Sequence, residues 1–382
     1  MSRRDGAAAP LTARIRAGLD GFAALEHDWR VLFEASASEP AVSFDWTQAL
    51  IRTEVAPSDA CYIVEIRCGD RLVGVVPLIV RVARVFGQQH VVLRPLAELK
   101  NTHSDVLAGE PRGDVLRAFL EALRTIDCRW DSIRLSKLLE GHSATPLLES
   151  AAVAVGYTPR RRFRKAAYWL PLPRSLDEYL AGRSAKFRNY AKRAEKKLRA
   201  TGRLQEIEIT SPSEFEAGYD ALLHVERASW KEPYGTSISA LPRQAALFRE
   251  LGRALAATGR LHLHLLTLDG EPIAHNYGCI HRGTYYYLKT SYAARQRPRS
   301  PATFLRLSLI AKMIVRGVSA IDFCGTPYEW QQQWTDTYRW HHVLSIYQDT
   351  WRGRMFSLLD PWIHYSSSGK TVEHEDPRSE RA

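Results

Sequence analysis

Leu261–Gly325 reads LHLHLLTLDGEPIAHNYGCIHRGTYYYLKTSYAARQRPRSPATFLRLSLIAKMIVRGVSAIDFCG. Apolar residues alternate up to Asp269-Gly270, a dipeptide that favours a tight hairpin. A second strand is expected from Pro272 to Ile280, ending at the turn His281-Arg282-Gly283, and a third from Thr284 to Tyr292. A basic loop, 293–303, leads into apolar residues spaced at the helical period from Phe304 to Val315, with Gly317 in the usual closing position. A buried strand, Ser319–Cys324, completes the stretch. The order is strand, strand, strand, basic loop, helix, strand. A helix start behind a Ser/Arg-rich loop suits phosphate, because unpaired N–H groups and the helix dipole both favour an anion.

Outside this stretch stand SAKFRNYAKRAEKKL at 184–198, ERASWK at 226–231 and DFCGTPYEWQQQW at 322–334. With these motifs the chain resembles the GNAT-fold N-acyltransferases of the CelD-like, cellulose-biosynthesis-associated group, relatives of the FemAB-type double-GNAT proteins. The resemblance covers most of the chain and is strongest from about 160 to 340. It implies an α/β (α+β) fold of two tandem GNAT-like modules, with mixed central sheets flanked by helices. It also implies that the third strand, with Lys289 and Thr290, carries the pantetheine arm of the donor. The pyrophosphate then falls to Gln296, Arg297, Arg299, Ser300, Ala302 and Thr303. The usual loop has glycines where this chain has Arg299-Ser300 and Pro301-Ala302; serine-proline at the helix start is common in the CelD-like group.

The 382 residues suffice for one large core or two ordinary ones, and 45% apolar with 25% charged residues is the composition of a globular protein. The longest apolar run, Leu72–Val80, is too short to span a bilayer. Two arginines near the N-terminus have no apolar core behind them, so no secretory signal is read. Five scattered cysteines without a CxxC suggest reduced thiols in a cytoplasmic protein, and no His/Cys cluster has zinc spacing. The net charge of +11 points to polyanionic contacts or to free use of arginine.

The first half repeats the grammar of the second at an offset of about 190–200 residues. Helical residues 22–35 match 215–230, the Gly69-Asp70 hairpin matches Asp269-Gly270, and the helix and strand of 115–135 match 304–324. The expected organisation is a disordered 1–10, a degenerate GNAT-like module at 11–158, a basic helical connector at 159–205, an acyltransferase module at 206–364 and a disordered tail at 365–382. In the first half, residues 98–105 replace the basic loop with an acidic one, which would repel a pyrophosphate. A single donor site is therefore expected, in the second half. The connector places Phe187, Tyr190, Ala194 and Leu198 on one face and an excess of Lys and Arg on the others. That pattern fits a solvated face or an anionic inner membrane contacted through 183–203. Nothing in it resembles a nucleic-acid module.

Acyl transfer to an amine needs a base, donors that polarise the thioester carbonyl and an acid for the thiolate. His275, mid-strand in EPIAHNYGC, is the first base candidate, since imidazole titrates near neutrality; the alternative is a core histidine. Asp322 and Glu329 are further candidates, against the alternatives of a local ion pair and an ordinary packed loop. Tyr292, on the opposite face of the third strand from Lys289, is the candidate acid, or else a core tyrosine. Glu226 and Trp230, before the loop KEPYGTS, and the aromatics Tyr328, Trp330 and Trp334 are candidates for gripping the acceptor. No cysteine or serine stands in a nucleophile constellation.

The resemblance thus implies a bacterial, cytoplasmic enzyme of the EC 2.3.1 class, with a peripheral place on the inner membrane as an option. It would move an acyl group from acyl-CoA or acyl carrier protein to an amine in cell-envelope polysaccharide or lipid metabolism, by direct attack in a ternary complex. No permanently bound cofactor or metal is expected. Two alternatives are a ceramide synthase-type N-acylation of a sphingoid base and a non-catalytic scaffold that regulates envelope synthesis.

Overall fold

The computed structural model describes residues 10–99, 103–141, 144–325 and 327–363. The termini expected to be disordered lie, all but Pro10, outside them. In chain order the first elements are strand β1 (Leu11–Ala17), helices α1 (Glu26–Ala35) and α2 (Phe44–Glu54), strands β2 (Cys61–Cys68), β3 (Arg71–Val85), β4 (Gln88–Pro95) and the short β5 (Leu107–Ala108), helix α3 (Arg112–Ala122), strand β6 (Ser132–Leu139) and helix α4 (Ala144–Ala154). Then follow β7 (Thr158–Pro171), α5 (Leu176–Ala181), α6 (Ala185–Arg199), β8 (Leu204–Ile209), α7 (Pro212–Arg227), α8 (Pro242–Ala257), β9 (Leu261–Leu268), β10 (Glu271–His281), β11 (Thr284–Tyr292), α9 (Pro301–Val315) and β12 (Ala320–Asp322). Strand β13 (Tyr338–Tyr347) and helix α10 (Trp351–Leu359) close the described chain.

These elements form two compact units, one of residues up to Lys165 together with those from Trp340, the other of Ala166–Arg339. In the first, β1 to β4 form an antiparallel meander, and α3 crosses to β6, which lies parallel to β4. In the second, β8 to β11 form the same meander, and α9 crosses to β12, which lies parallel to β11. Each sheet is completed by an antiparallel strand. The first unit takes β13 on β6, and the second takes the end of β7 on β12. The completing strands thus come from the opposite half of the sequence. The expected modules at 11–158 and 206–364 differ from these units in extent, because the strand after α4 enters the second unit and the strand after β12 returns to the first.

The hairpin dipeptide behaves as its chemistry requires: Asp269 and Gly270 both adopt positive φ, at 52° and 86°. Gly317, at φ 71°, ends α9. Helix α9 buries Leu309, Ile310 and Met313 against Tyr285, Tyr287, Ile321 and Phe323 of the second sheet. Burying each such side chain contributes about 1.5–3 kcal/mol. Of the connector expected at 159–205, the first part lies in strand β7, and the helical part is the pair α5 and α6. Helix α6 opens with Ser184 capping the Phe187 amide at 3.2 Å and buries Phe187, Ala191, Ala194 and Leu198.

Candidate active site

Helix α7 packs across one face of β10 and delivers Glu226 to His275. The Glu226 Oε1–His275 Nε2 distance is 2.8 Å, and both side chains are essentially sealed from solvent. The second Glu226 oxygen accepts from the Ile238 amide at 3.0 Å. Desolvation opposes charge on the Glu226 carboxyl, but the His275 bond, the Lys231 and His275 charges and the Ile238 amide outweigh it and pull the group down to about 2. Burial, only partly offset by Glu226, lowers the His275 imidazole below its ordinary value. The pair therefore rests as a carboxylate accepting Nε2–H from a neutral ring, which leaves the Nδ1 lone pair to act as a base.

Among the described residues that Nδ1 has no hydrogen-bond partner, and neither does the buried Ser291 hydroxyl. Ser291 lies directly opposite His275 in the β10–β11 register, so the two project from the same face of neighbouring strands. No hydrogen bond joins them. Two unpartnered polar groups side by side in an apolar layer are costly unless something else fills the gap.

Strand β11 shapes this neighbourhood. Its register shifts where Tyr277 faces Lys289 and Gly278 faces Tyr287, so Leu288 is an extra, bulged residue. Bulges re-aim side chains and recur beside active sites. Beyond the shift Lys289 lies over the Phe248 ring of α8, 5.5 Å from its centroid, while Tyr292 packs with the cluster of Leu198, Phe304 and Leu305. The two residues thus take opposite faces, and Tyr292 is not on the face of His275. Thr290 donates toward the His275 carbonyl (3.1 Å) and Asn276 Oδ1 (3.0 Å), and its own carbonyl accepts from Lys231 at 3.0 Å. Parallel pairing of β11 with β12 covers only Thr284–Tyr286. From Tyr287 to Tyr292 no strand among the described residues pairs with that edge, so the two strands diverge there.

The expected phosphate loop is a short 3-10 turn, Ala294–Arg299, leading to α9. Gln296 is buried and accepts from Arg299 at 2.8 Å, while Arg297 is exposed. Ser300 sits at φ 54° at the head of α9, which no side chain caps. Tyr190 of α6 bonds Ser300 Oγ at 3.0 Å and Thr303 Oγ1 at 3.3 Å; Ala302 is half-buried in the first turn.

The other candidates are dispersed. Asp322 is fully buried, with its oxygens on Arg339 and on the Cys324 amide, the latter at 2.8 Å. Arg339 stacks on Trp169. Such an ion pair holds a carboxylate in place and leaves it a poor base. Glu329 is exposed. Trp230 lies just past the end of α7, half-buried and edge-on to Tyr234. The segment expected as the loop KEPYGTS is braced by Glu232, which accepts from Ser237 and Ser239. Tyr328 opens the short turn holding Trp330, and Trp334 is buried against Phe187. Ser291 escaped the sequence reading, since a serine in a tyrosine-rich strand carries no local signal, and Lys231, although it ends the motif ERASWK, was not singled out as a site residue.

Among the described residues no cluster of His, Cys, Asp and Glu suits a metal ion, and no helix is long and apolar enough to cross a membrane. Residues 185–332 match the family model described as an acetyltransferase (GNAT) domain. No curated protein sequence matches the chain. The fold is similar to that of FemX (11% identity, TM-score 0.58, covering 88% of this chain and 98% of that one). It is also similar to the C-terminal domain of a putative lysylphosphatidylglycerol synthetase from Agrobacterium fabrum (13%, TM-score 0.53, covering 89% and 96%). A third likeness is a conserved protein of unknown function from Bacteroides thetaiotaomicron (10%, TM-score 0.55, covering 88% and 100%). At these identities the likeness establishes the shared fold.

Proposed function

We propose that the second unit, a GNAT acetyltransferase domain, moves an acyl group from an acyl thioester, acyl-CoA or acyl carrier protein, to an amine of cell-envelope metabolism. The observation that carries this reading is the Glu226–His275 pair with its unpartnered Nδ1. A neutral imidazole held by a carboxylate takes a proton at neutral pH and is stabilised once charged. The amine nitrogen attacks the thioester carbonyl carbon, the amine proton passes to Nδ1, the C–S bond breaks, and the thiolate is reprotonated from water. The open edge of β11 from Tyr287 to Tyr292 suits an extended amide-bearing arm, which adds to a sheet edge as a strand does. The diphosphate of a coenzyme A donor would lie at the head of α9, on Ser300 and the first-turn amides. The putative lysylphosphatidylglycerol synthetase whose C-terminal domain shares this fold is named for a lipid product, which supports an acceptor of that class. The motifs at 184–198 and 322–334 support the CelD-like group within it. The exposed Lys192, Arg193, Lys196 and Lys197 of α6 support contact with an anionic membrane surface.

The test is thiol release by the purified chain, offered acetyl-CoA and palmitoyl-CoA against glucosamine and a sphingoid base. Amine-dependent release with one pairing is expected. Bound coenzyme A without release in any pairing would leave a non-catalytic scaffold as the better reading.

A further inference from the structure

Helix α9 carries one cation on its buried face. Arg306 is 6% exposed, yet no carboxylate among the described residues pairs with it. Its neighbours are rings. The guanidinium carbon lies 3.9 Å from the Trp330 ring centroid, 4.9 Å from that of Trp334 and 5.7 Å from that of Tyr287. Ring faces stabilise the cation from above and below. They do not accept its in-plane N–H groups. Of five N–H donors, only Nε has an acceptor among the described residues, the Tyr287 hydroxyl at 3.3 Å. Tyr287 in turn donates to Asn276 Oδ1, and Asn276 donates to the Leu305 carbonyl at 3.4 Å. The guanidinium is thus fixed in orientation, with its two terminal nitrogens unused.

A guanidinium cannot shed its charge, and a buried unpaired charge is destabilising. The position of this one is informative. Tyr287 is the first residue of β11 beyond its pairing with β12, and Trp330 and Trp334 lie on the segment that follows β12. We propose that Arg306 anchors an oxyanion-binding site in the gap where β11 and β12 diverge, taking a carboxylate or phosphate group of a substrate through its terminal nitrogens. The planar fork matches two oxygens at once. The inference stands on the chemistry around Arg306 and holds whatever reaction the domain performs.

Thermal unfolding of the full chain tests it, with inorganic phosphate, succinate and coenzyme A as probes against chloride at equal ionic strength. A ligand that binds only the folded state raises the midpoint. Wild type is expected to gain a few degrees with at least one probe. Arg306→Met should lose that gain, its apparent Kd rising tenfold or more, and without any probe it should unfold at or above the wild-type temperature, because an uncompensated buried charge has been removed. Arg306→Lys keeps the charge without the fork; it should bind more weakly than wild type and serves if the methionine variant does not fold. Lost protection by coenzyme A alone would assign the oxyanion to the donor, and lost protection by phosphate or succinate alone to the acceptor. Destabilisation by Arg306→Met with unchanged protection, or no protection of wild type by any probe, would overturn the proposal and make Arg306 a brace for the rings.

Discussion

The two units repeat one topology and differ in what occupies the same place. In the first, the crossover helix α3 begins under the chain's own carboxylates. Glu110 accepts from the Arg112 amide at 3.0 Å, and Asp105 holds the Arg112 guanidinium at 2.7 Å and the Val106 amide at 2.8 Å. In the second, helix α9 begins at Ser300 with no side-chain cap, and the nearby Arg299 is bonded to a neutral amide. Their buried carboxylates differ too. In the first unit Glu65, Asp105, Asp131 and Asp360 each meet an arginine, which carries a permanent charge. In the second, Asp322 meets Arg339 in the same way, but Glu226 meets a histidine. The second unit thus leaves a helix start without a side-chain cap and an imidazole nitrogen for something else to use.

The largest effect that tests this contrast is on catalysis. Removing a general base costs typically 10²–10⁴-fold, so His275→Ala should lower kcat by about 10²–10³ while leaving coenzyme A affinity within about twofold. Glu226→Gln should act in the same direction and flatten the acid limb of the pH–rate profile. A fully active His275→Ala would reduce the pair to a structural element like those of the first unit.

The second effect is acid sensitivity. His275 titrates below its ordinary 6.5 and Glu226 at about 2 against an ordinary 4.5. Both groups take up protons more readily when unfolded, so stability falls as pH drops, first below about 6.5 and then from about 4.5 toward 2. The Glu226 part is on the order of 3 kcal/mol, at about 1.4 kcal/mol per pH unit. Denaturant unfolding between pH 7 and 3 should show a shallower slope for Glu226→Gln/His275→Gln than for wild type. Equal slopes would assign the acid sensitivity elsewhere.

Third comes a change confined to the first unit. Asp105→Asn removes the negative charge facing the Arg112 guanidinium, which is 11% exposed and also donates to the Val106 carbonyl at 3.4 Å. Breaking a buried pair costs 3–5 kcal/mol, and residual access to water brings the expected loss here to about 2–3 kcal/mol. Coenzyme A affinity should not change. A parallel loss of affinity in a variant that remains folded would mean that the first unit also contributes to the donor site.

Much of this contrast was legible in the sequence because it rests on local signals. Asp269-Gly270 fixes a hairpin by its φ requirement, and Gly317 closes a helix for the same reason. Acidic residues before α3 and basic ones before α9 announce opposite charge at two helix starts. His275 and Glu226 were each recognisable as candidates, but their bond spans 49 residues and depends on where α7 lands. Ser291 became notable only through register with His275. Arg306 did have a signal: it shares a helical stripe with Ala302, Leu309, Ile310 and Met313, which is unusual for a cation. The exchange of completing strands left none, since a strand's periodicity says nothing of which sheet it joins.

The smallest effect is also the most direct test of the difference between the helix starts. Ser300→Asp would give α9 the carboxylate that α3 already has. Aspartate tolerates the positive φ of that position better than most residues. At a helix head it is stabilising by a few tenths to about 1 kcal/mol, so the protein should unfold at or slightly above the wild-type temperature. The carboxylate would accept from Tyr190 in place of Ser300 Oγ and would stand where the donor diphosphate is proposed to lie. Like charges there should weaken coenzyme A by about tenfold, roughly 1.4 kcal/mol, and the loss should shrink with added salt. Ser300→Asn, matched in shape and neutral, separates charge from bulk and should stay within about threefold of wild type. Equal weakening in the two variants would mean that the head of α9 is crowded by the ligand without being selected for its charge. Unchanged affinity in both would place the diphosphate away from α9 and remove the functional meaning of its uncapped start.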